Sequence, residues 1–429
     1  MKVLIIGSGA REHAIAWRVD QSPKLTKLWV AAGNAGTAAI AENLEIRSGD
    51  IDGLVAAAQK TQADLVIVGP EAPLAAGLAD KLDALGIPVF GPSEAAARIE
   101  ASKSFALELM RRANVPCPDF ASVWDQAGAE SYIKDHPGPL VVKADGLAAG
   151  KGVLLCQDSN EALSAVKLCM SDKAFGEAGD TVVLEEYLSG PEVSVFAFCD
   201  GKDMSPLVAA CDYKRLRDGN QGPNTGGMGS YNQPDFWNDA LAAKIEKSIM
   251  RPVIDKMAEE GHPYKGVLYA GLMLTQEGPK VLEFNCRLGD PETQVVMPML
   301  ESDPLDLMLA CARGNLQPET VKWNNKNFVG VAMVSGGYPD EYRTGYGISG
   351  LDNDGPEDTL VFHAGTKLGP SGETLTAGGR VLTVVGGGET MEEARRRAYS
   401  RVEQISFTDA RWRRDIGSAA NQGTARLAG

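Results

Sequence analysis

Residues 266–293 read GVLYAGLMLTQEGPKVLEFNCRLGDPET, and the centre of this stretch, Val281-Leu282-Glu283-Phe284-Asn285, decides how the chain folds. Val, Leu and Phe favour a buried strand. Glu283 and Asn285 interrupt it two residues apart. In a strand, residues i and i+2 share a face. Glu283 and Asn285 therefore project together, and Leu282 and Phe284 are expected to fill the opposite, core face. Two oxygen donors on one rigid face suit Mg²⁺, which keeps several waters and takes phosphate oxygens as further ligands. An amphipathic strand with one wet face has the same pattern, so the rest of the chain must decide.

The chain has 429 residues, 44% hydrophobic and 23% charged, with a net charge of −15. At roughly 150 residues per domain this length predicts about three domains. The acidic balance argues against a nucleic acid partner, which would require a basic footprint. It leaves room for an anionic small substrate, held by a local cluster of donors. Seven cysteines, at 117, 156, 169, 199, 211, 286 and 311, lack CxxC spacing; this reads as reduced thiols and a cytoplasmic location. No stretch approaches the ~18 apolar residues of a membrane span. The opening MKVLIIGSGAREH has too short an apolar run for a signal peptide and reads as a first strand.

Up to about residue 100, the apolar runs KVLIIG, KLWVAAG, ADLVIVGP and PVFGP alternate with helical stretches. That is a βαβ pattern and predicts an open parallel sheet. From about 102 to 325 the helices lengthen and strands surround two dense loops. From about 326, FVGVAMVSGGYP, LVFHAGTKL and GRVLTVVGGG read as strands of a third, mixed unit, closed by a helix from about 391 with a Thr390-x-x-Glu393 capping box.

The first dense loop is VVKADGLAAGKGVLL, residues 141–155. It fails the P-loop pattern: three residues separate Gly146 from Gly150, and Gly152 follows Lys151 where Ser or Thr belongs. It reads instead as a glycine-rich hairpin with Lys143 at its base and Lys151 at its tip. Such glycines let backbone N–H groups close on phosphate oxygens. Next, TVVLEEYLSGPEVSVFAF runs a strand into Glu185-Glu186-Tyr187-Leu188 and then Glu192. The second dense loop, ACDYKRLRDGNQGPNTGGMGSY (210–231), is long and polar, and such loops are functional or disordered.

In this order, Lys103, Lys143, the glycine-rich hairpin, the acidic hinge at 185–192 and the late E-x-N strand resemble the ATP-grasp fold. GSGAREHAIAW, GNAGT, VGPEAPLAAGLAD, KADGLAAGKGV, GPNTGGMGSY, LYAGLML and EFNCRLGDPETQ are similar to the phosphoribosylamine–glycine ligase family within it, as are SGGYP, VFHAGT, GGRVLTVVG and RRDIG. The likeness spans essentially the whole chain. It implies an α/β and α+β multidomain protein: an N-terminal open parallel sheet binding substrate (1–101), a central ATP-grasp domain (102–325, lid roughly 115–190) and a small mixed α/β C-terminal domain (326–429). It implies an ATP-dependent ligase joining glycine to 5-phosphoribosylamine through glycyl phosphate in purine biosynthesis. The rival is another ATP-grasp carboxylate–amine ligase or carboxylase acting on a purine precursor. Expected cofactors are ATP and Mg²⁺, with Mn²⁺ as the alternative ion. The expected assembly is a monomer or weak dimer without nucleic acid or membrane partners.

Carried onto this chain, the resemblance gives Lys103 and Lys143 the ATP phosphates and Gly146, Gly150, Lys151 and Gly152 the cover over them. It gives Glu185, Glu186, Tyr187 and Leu188 the adenine, Glu192 the ribose, and Glu283 and Asn285 the metal. It assigns Gly9, Ala10, Arg11, Asn34, Gly36, Thr37, Gly69, Pro70 and Glu71 to phosphoribosylamine. The helix start near Gly9 and Ala10 offers N–H groups to a phosphate. Arg11 is either a phosphate ligand or a surface charge, and His13 reads as structural. Asn224, Thr225, Gly226, Gly227 and Gly229 are assigned to glycine and the acyl phosphate, Asp212 and Lys214 to the reacting groups, and Arg287 to charge stabilisation during transfer. Two departures stand out. Tyr213 occupies a position where many relatives carry His, and the strand Leu268 to Leu274 has no acid where ATP-grasp enzymes often place a metal carboxylate. GSGARE also begins like a dinucleotide fingerprint, but Glu12 stands where its third glycine belongs.

Overall fold

The computed structural model describes residues 1–147 and 152–418; Gly150 and Lys151 of the hairpin tip lie outside them. The N-terminal unit is a sheet of β1 (Lys2–Gly7), β2 (Lys27–Ala32), β3 (Glu42–Leu44), β4 (Leu65–Val68) and β5 (Val89–Phe90), ordered β3-β2-β1-β4-β5 and parallel throughout. Val3–Ile6 of β1 and Leu65–Ile67 of β4 are fully buried, as parallel strands covered on both faces require. The apolar runs expected as strands are strands. The short polar β3 adds an edge that no periodicity announced.

A second sheet is made of β6 (Phe120–Val123), β7 (Leu140–Ala144), β8 (Val153–Cys156) and β9 (Val182–Glu186), in the order β6-β9-β7-β8. Strands β7 and β8 pair antiparallel, so the glycine-rich loop is a hairpin connection. Helices Gln126–Asp135 and Ser159–Met170 cover one face. Val142, Leu184, Ile133 and Val166 form a core that is separate from the rest of the molecule.

The third sheet has eight strands. They come from β10 (Glu192–Asp200), β11 (Val208–Asp212), β14 (Gly229–Asn232), β15 (Lys265–Thr275), β16 (Gly278–Asn285), β17 (Asn327–Val334), β18 (Thr359–His363) and β21 (Arg380–Gly388), ordered β16-β15-β10-β11-β14-β17-β21-β18. Strands β12 (Arg215–Arg217) with β13 (Gln221–Asn224), and β19 (Thr366–Leu368) with β20 (Thr374–Thr376), form two small hairpins outside it. The second dense loop is therefore partly ordered as the β12–β13 hairpin. The C-terminal strands expected as a third unit continue the central sheet: β17 pairs antiparallel with β14, Tyr231 opposite Val329. A fully buried β14 needs hydrogen-bond partners on both edges, and β17 supplies the second.

One register departs from simple alternation. Gly271 of β15 faces Glu283, but the next residue, Leu272, faces Val281. Leu282 is thus the extra residue of a β-bulge. The core side chains are Val281 and Phe284, 0% and 2% exposed. Leu282, expected in the core, instead lines the cleft beside Glu283. Alternation cannot show a bulge, because one inserted residue resets the phase.

Sheet continuity has a direct consequence. A chain ending at residue 325 should lose β17 and leave the β14 edge unpaired, a template for aggregation. The expected outcome is insoluble or aggregated protein in size-exclusion chromatography; a stable monomeric fragment would show that the central sheet closes without β17.

Candidate functional site

Two cavities meet in the cleft between the β6–β9 unit and the eight-stranded sheet. One, of about 340 Å³, is lined by Lys143, the 185–188 hinge, Glu192, Asp212, Lys214 and Glu283. The other, of about 400 Å³, is lined by Arg11, Glu71, Glu100, Lys103, Arg287, Asp290 and Arg380. Lys143, Glu185, Leu282, Glu283, Asn285 and Arg287 border both.

On the first side, Lys143 Nζ lies 2.7 Å from Glu185 Oε2 and donates to the Leu282 carbonyl at 3.0 Å. The pair is buried. Burial pushes the Glu185 carboxyl up, against the pull of Lys143. The Glu185 side chain therefore orients Lys143, and the hinge backbone is what remains to face a base. Glu186 N–H is spent on the Asp119 carbonyl, and the Glu186 carboxylate on Lys280 at 3.2 Å. Among the described residues Tyr187 and Leu188 keep unengaged N–H groups. Lys103 Nζ donates to the Gly146 carbonyl at 3.0 Å. Asp145 accepts the Ser104 N–H at 2.6 Å, so the hairpin base is tied to helix Lys103–Arg112. Gly152 borders the second cavity.

At the junction, burial would raise the Glu283 carboxyl, but Lys214, Lys143, Lys103 and Arg287 together lower it. Lys103 is pushed down by burial and by Lys143, despite Glu283. Among the described residues no hydrogen bond or ion pair holds the Glu283 carboxylate. Asn285 Oδ1 accepts from Arg287 at 2.9 Å, while its buried Nδ2 has no partner. No cluster of three or more His, Cys, Asp or Glu among the described residues could hold a metal. A divalent ion that arrives with phosphate oxygens needs fewer protein ligands than such a cluster.

Lys214 Nζ contacts Glu192 Oε2 at 2.6 Å. Its pKa stands well above the ordinary value: burial lowers it, but Glu192 and Asp212 prevail. Burial, with Glu292 and Glu192 nearby and Lys214 opposing, pushes Asp212 up to about 7. Asn224, Thr225 and Gly226 line the same cavity. Thr225 Oγ1 donates to the Lys214 carbonyl at 2.8 Å and accepts the Gly227 N–H at 3.0 Å. Gly227, at φ +110°, packs so closely on Pro291 that a Cβ would lie 2.4 Å from its Cδ. Gly227 and Gly229 line neither cavity and serve the packing beneath the loop. Tyr213, the odd residue of this loop, is buried, and its hydroxyl accepts the Gly417 N–H at 3.0 Å.

The second cavity separates the N-terminal candidates. Arg11 is buried, not a surface charge. It donates to Glu12 Oε1 at 2.6 Å and to the Leu288 carbonyl at 3.2 Å, and it faces the cavity with Glu71. Gly9, Ala10, Asn34, Gly36, Thr37, Gly69 and Pro70 line neither cavity. The Gly9 N–H, expected to take a phosphate, donates to Glu12 Oε2 at 2.6 Å. A Cβ on Gly69 would meet Glu12 Oε1 at 2.2 Å. Asn34 holds its own loop, accepting from Gly36 and Thr37 and donating to the His363 carbonyl at 2.7 Å. His13 is structural: its Nδ1 accepts the His363 N–H at 2.8 Å, and burial with His363 holds its pKa down to about 3.

Arg287 donates to Glu100 Oε1 at 2.8 Å and lies 3.4 Å from Glu71 Oε2. Arg380 donates to Asp290 Oδ2 at 2.7 Å and to the Gly226 carbonyl at 2.6 Å. Glu292 is buried and accepts from Tyr269 and Ser194 at 2.8 and 3.0 Å. Sequence reasoning missed Glu100, Asp290, Glu292 and Arg380 as site residues. Asp290 and Glu292 stand inside GDPET, seven and nine residues after Glu283, and that proximity was the available signal. Glu100 and Arg380 carried none.

A lysine-lined cleft between two α+β lobes, with paired oxygen ligands at a strand end, defines an ATP-grasp enzyme. Residues 1–100, 101–293 and 328–419 match the phosphoribosylglycinamide synthetase N domain, ATP-grasp (A) domain and C domain. Phosphoribosylamine–glycine ligases of Yersinia pestis and Caulobacter vibrioides are 45% and 47% identical over 423 residues, covering 98% of this chain and 99% of theirs. The crystal structure of the Thermotoga maritima phosphoribosylamine–glycine ligase is similar with a TM-score of 0.83 at 33% identity, covering 97% of this chain and 100% of that one. A biotin carboxylase from Campylobacter jejuni shares the fold alone, with a TM-score of 0.75 at 15% identity over 96% of this chain and 92% of its own. The chain belongs to the phosphoribosylamine–glycine ligase family and carries its ATP-grasp domain.

The buried Lys143–Glu185 pair yields a two-part prediction. Lys143→Met should lower stability by about 3–5 kcal/mol, since a buried carboxylate then lacks its cation. Lys143→Met combined with Glu185→Gln should recover most of that loss but leave ATP affinity low. Urea unfolding and nucleotide titration of both variants separate the two effects; full ATP affinity in the double variant would remove Lys143 from the phosphate site.

Proposed function

We propose that the chain joins glycine to 5-phosphoribosylamine at the expense of ATP, giving glycinamide ribonucleotide, ADP and phosphate in purine biosynthesis. In a chain of this family, the observation that carries the reading is the meeting of the two cavities at Glu283, Asn285 and Arg287. ATP occupies the first cavity and its phosphates reach the junction, where Lys143, bordering both cavities, and Lys103, on the second-cavity side, neutralise them; Tyr187 and Leu188 offer N–H groups to adenine, and Glu192 takes the ribose. Glu283 and Asn285 hold Mg²⁺, or Mn²⁺ in its place, which neutralises charge on the phosphates when bound. The glycine carboxylate attacks the γ-phosphorus, ADP leaves, and glycyl phosphate forms. The amine of phosphoribosylamine then attacks the acyl carbon and phosphate departs. Asp212 and Glu292 face the glycine ammonium, and Arg287 stabilises the charge developing during transfer.

The second cavity takes phosphoribosylamine. Arg11, Arg287 and Arg380 converge there, and guanidinium groups suit phosphate; the residues around Gly9 and Asn34 build the wall behind Arg11. The β6–β9 unit has its own core and acts as a lid that excludes water from glycyl phosphate. A cytoplasmic location is supported by seven free cysteines and by the lack, among the described residues, of a helix long and apolar enough to cross a membrane.

The activity is tested by supplying ATP with glycine, phosphoribosylamine or both. Glycinamide ribonucleotide and equimolar phosphate should appear only with both. Glu283→Gln should fold normally and lose turnover at ordinary Mg²⁺; normal turnover would remove the metal assignment, and an unfolded variant would make Glu283 structural. Asp212, at about 7, is charged above that pH and neutral below it. The kcat/KM for glycine should therefore fall as pH drops through about 7. Asp212→Asn should abolish that limb and cost about 10- to 100-fold, the equivalent of ~1.5–3 kcal/mol for a charge-assisted hydrogen bond. A pH limb that persists in Asp212→Asn belongs to another group.

A further inference from the structure

The segment 411–418 at the end of the described chain lies far in sequence from the reacting groups, yet it holds the residues between and after them. Arg413 is 1% exposed, the largest fully buried side chain of the molecule. Its Nε and one terminal nitrogen donate to the two oxygens of Asp415, both at 2.7 Å. The other terminal nitrogen donates to the Arg215 carbonyl at 3.0 Å. The guanidinium lies 4.7 Å from the centre of the Tyr213 ring. Tyr213 in turn accepts the Gly417 N–H. Asp415 also accepts the Gly219 N–H at 2.9 Å, and the Arg414 N–H donates to Asp218 at 2.7 Å. Tyr399 fixes the segment to the C-terminal helix, donating to the Arg413 carbonyl at 2.8 Å and accepting the Ile416 N–H at 3.1 Å.

The contacts that the segment makes to the loop fall on 213–220, residues that flank or follow Asp212 and Lys214. Tyr213 sits between those two and is gripped on its ring face and at its hydroxyl. Fixing Tyr213 and the Arg215 carbonyl fixes the chain on both sides of Lys214 and directly after Asp212. From this geometry we infer that Arg413 is a positioning residue for the glycine-binding half of the site: with Tyr213 it forms a strap that sets where Asp212 and Lys214 stand. A buried, bidentate guanidinium suits the task, because its planar fork fixes three partners at once. Lysine in its place keeps the charge and loses the fork. The inference rests on the reading that Asp212 faces glycine.

The test is steady-state kinetics and nucleotide titration of Arg413→Lys and Tyr213→Phe, with Asp212→Asn alongside. Each strap variant should lower kcat/KM for glycine by about 10- to 100-fold, the effect of a misplaced reacting group, and raise the dissociation constant for ATP by much less, about threefold or under: the strap reaches the nucleotide only through Lys214 and its partner Glu192, while Lys103, Lys143 and the 185–188 hinge lie outside it. Parallel loss of glycine and ATP affinity would make the strap a general stability element and overturn the inference, as would unchanged glycine kinetics in both folded variants. If Arg413→Lys does not fold, Tyr213→Phe, which removes only the acceptor for Gly417, decides alone. Normal glycine kinetics in Asp212→Asn would instead sink the assignment of Asp212, a distinguishable result.

Discussion

Everything in the cleft depends on balancing crowded positive charge. Lys103, Lys143, Lys214 and Arg287 all act on the Glu283 carboxylate, and a triphosphate needs that concentration of cations. Without nucleotide, those charges would repel one another at close quarters. The chain answers with a carboxylate for nearly every cation: Glu185 for Lys143, Glu192 for Lys214, Glu100 and Glu71 for Arg287. Glu283 is left without a direct partner among the described residues, which leaves it available to an incoming cation. Each pairing carboxylate comes from a different element, so the balance also fixes how those elements stand to one another.

That dependence explains why the cleft needs residues from the whole chain. Glu71 starts helix Glu71–Ala75 of the N-terminal unit, Arg287 follows β16, and Arg380 opens β21. Arg380 joins the Gly226 carbonyl to Asp290, so the C-terminal strands reach the loop carrying Thr225. Continuity of the sheet from β14 to β17 makes that reach rigid, because a strand pair transmits position better than a linker between separate domains.

Local features of the fold were legible in the sequence. The parallel strands of the N-terminal unit announced themselves as apolar runs closed by Gly, and the shared face of Glu283 and Asn285 followed from period two, although residue type and spacing alone did not decide their chemistry. Features set by tertiary contact were not legible. The bulge at Leu282 leaves no mark in a run of apolar residues. Glu100 and Arg413 look like ordinary helix and tail charges until the fold buries them against partners about 190 residues away, such as Glu100 on Cys286. Tyr213 was legible only as an oddity; its partner, the Gly417 N–H, is 204 residues distant.

Glu12 shows how one residue redirects a domain. A βαβ unit opening GSGA is built to seat a phosphate on the N-terminus of its first helix, and a third glycine would leave room for one. Here Glu12 folds back over that N-terminus. Its carboxylate takes the Gly9 N–H, and its side chain fills the space against Gly7 and Gly69, where a Cβ would meet Cγ at 2.5 Å and Oε1 at 2.2 Å. An anion is thus already in place, covalently attached and neutralised by the helix dipole. The same carboxylate binds Arg11 and aims its guanidinium out of the N-terminal unit and into the cleft. A glycine at position 12 would empty the space at the helix end and release Arg11 from its carboxylate partner, so on the proposed reading the anion site lies at the side chain beside the helix end and not at the helix end itself.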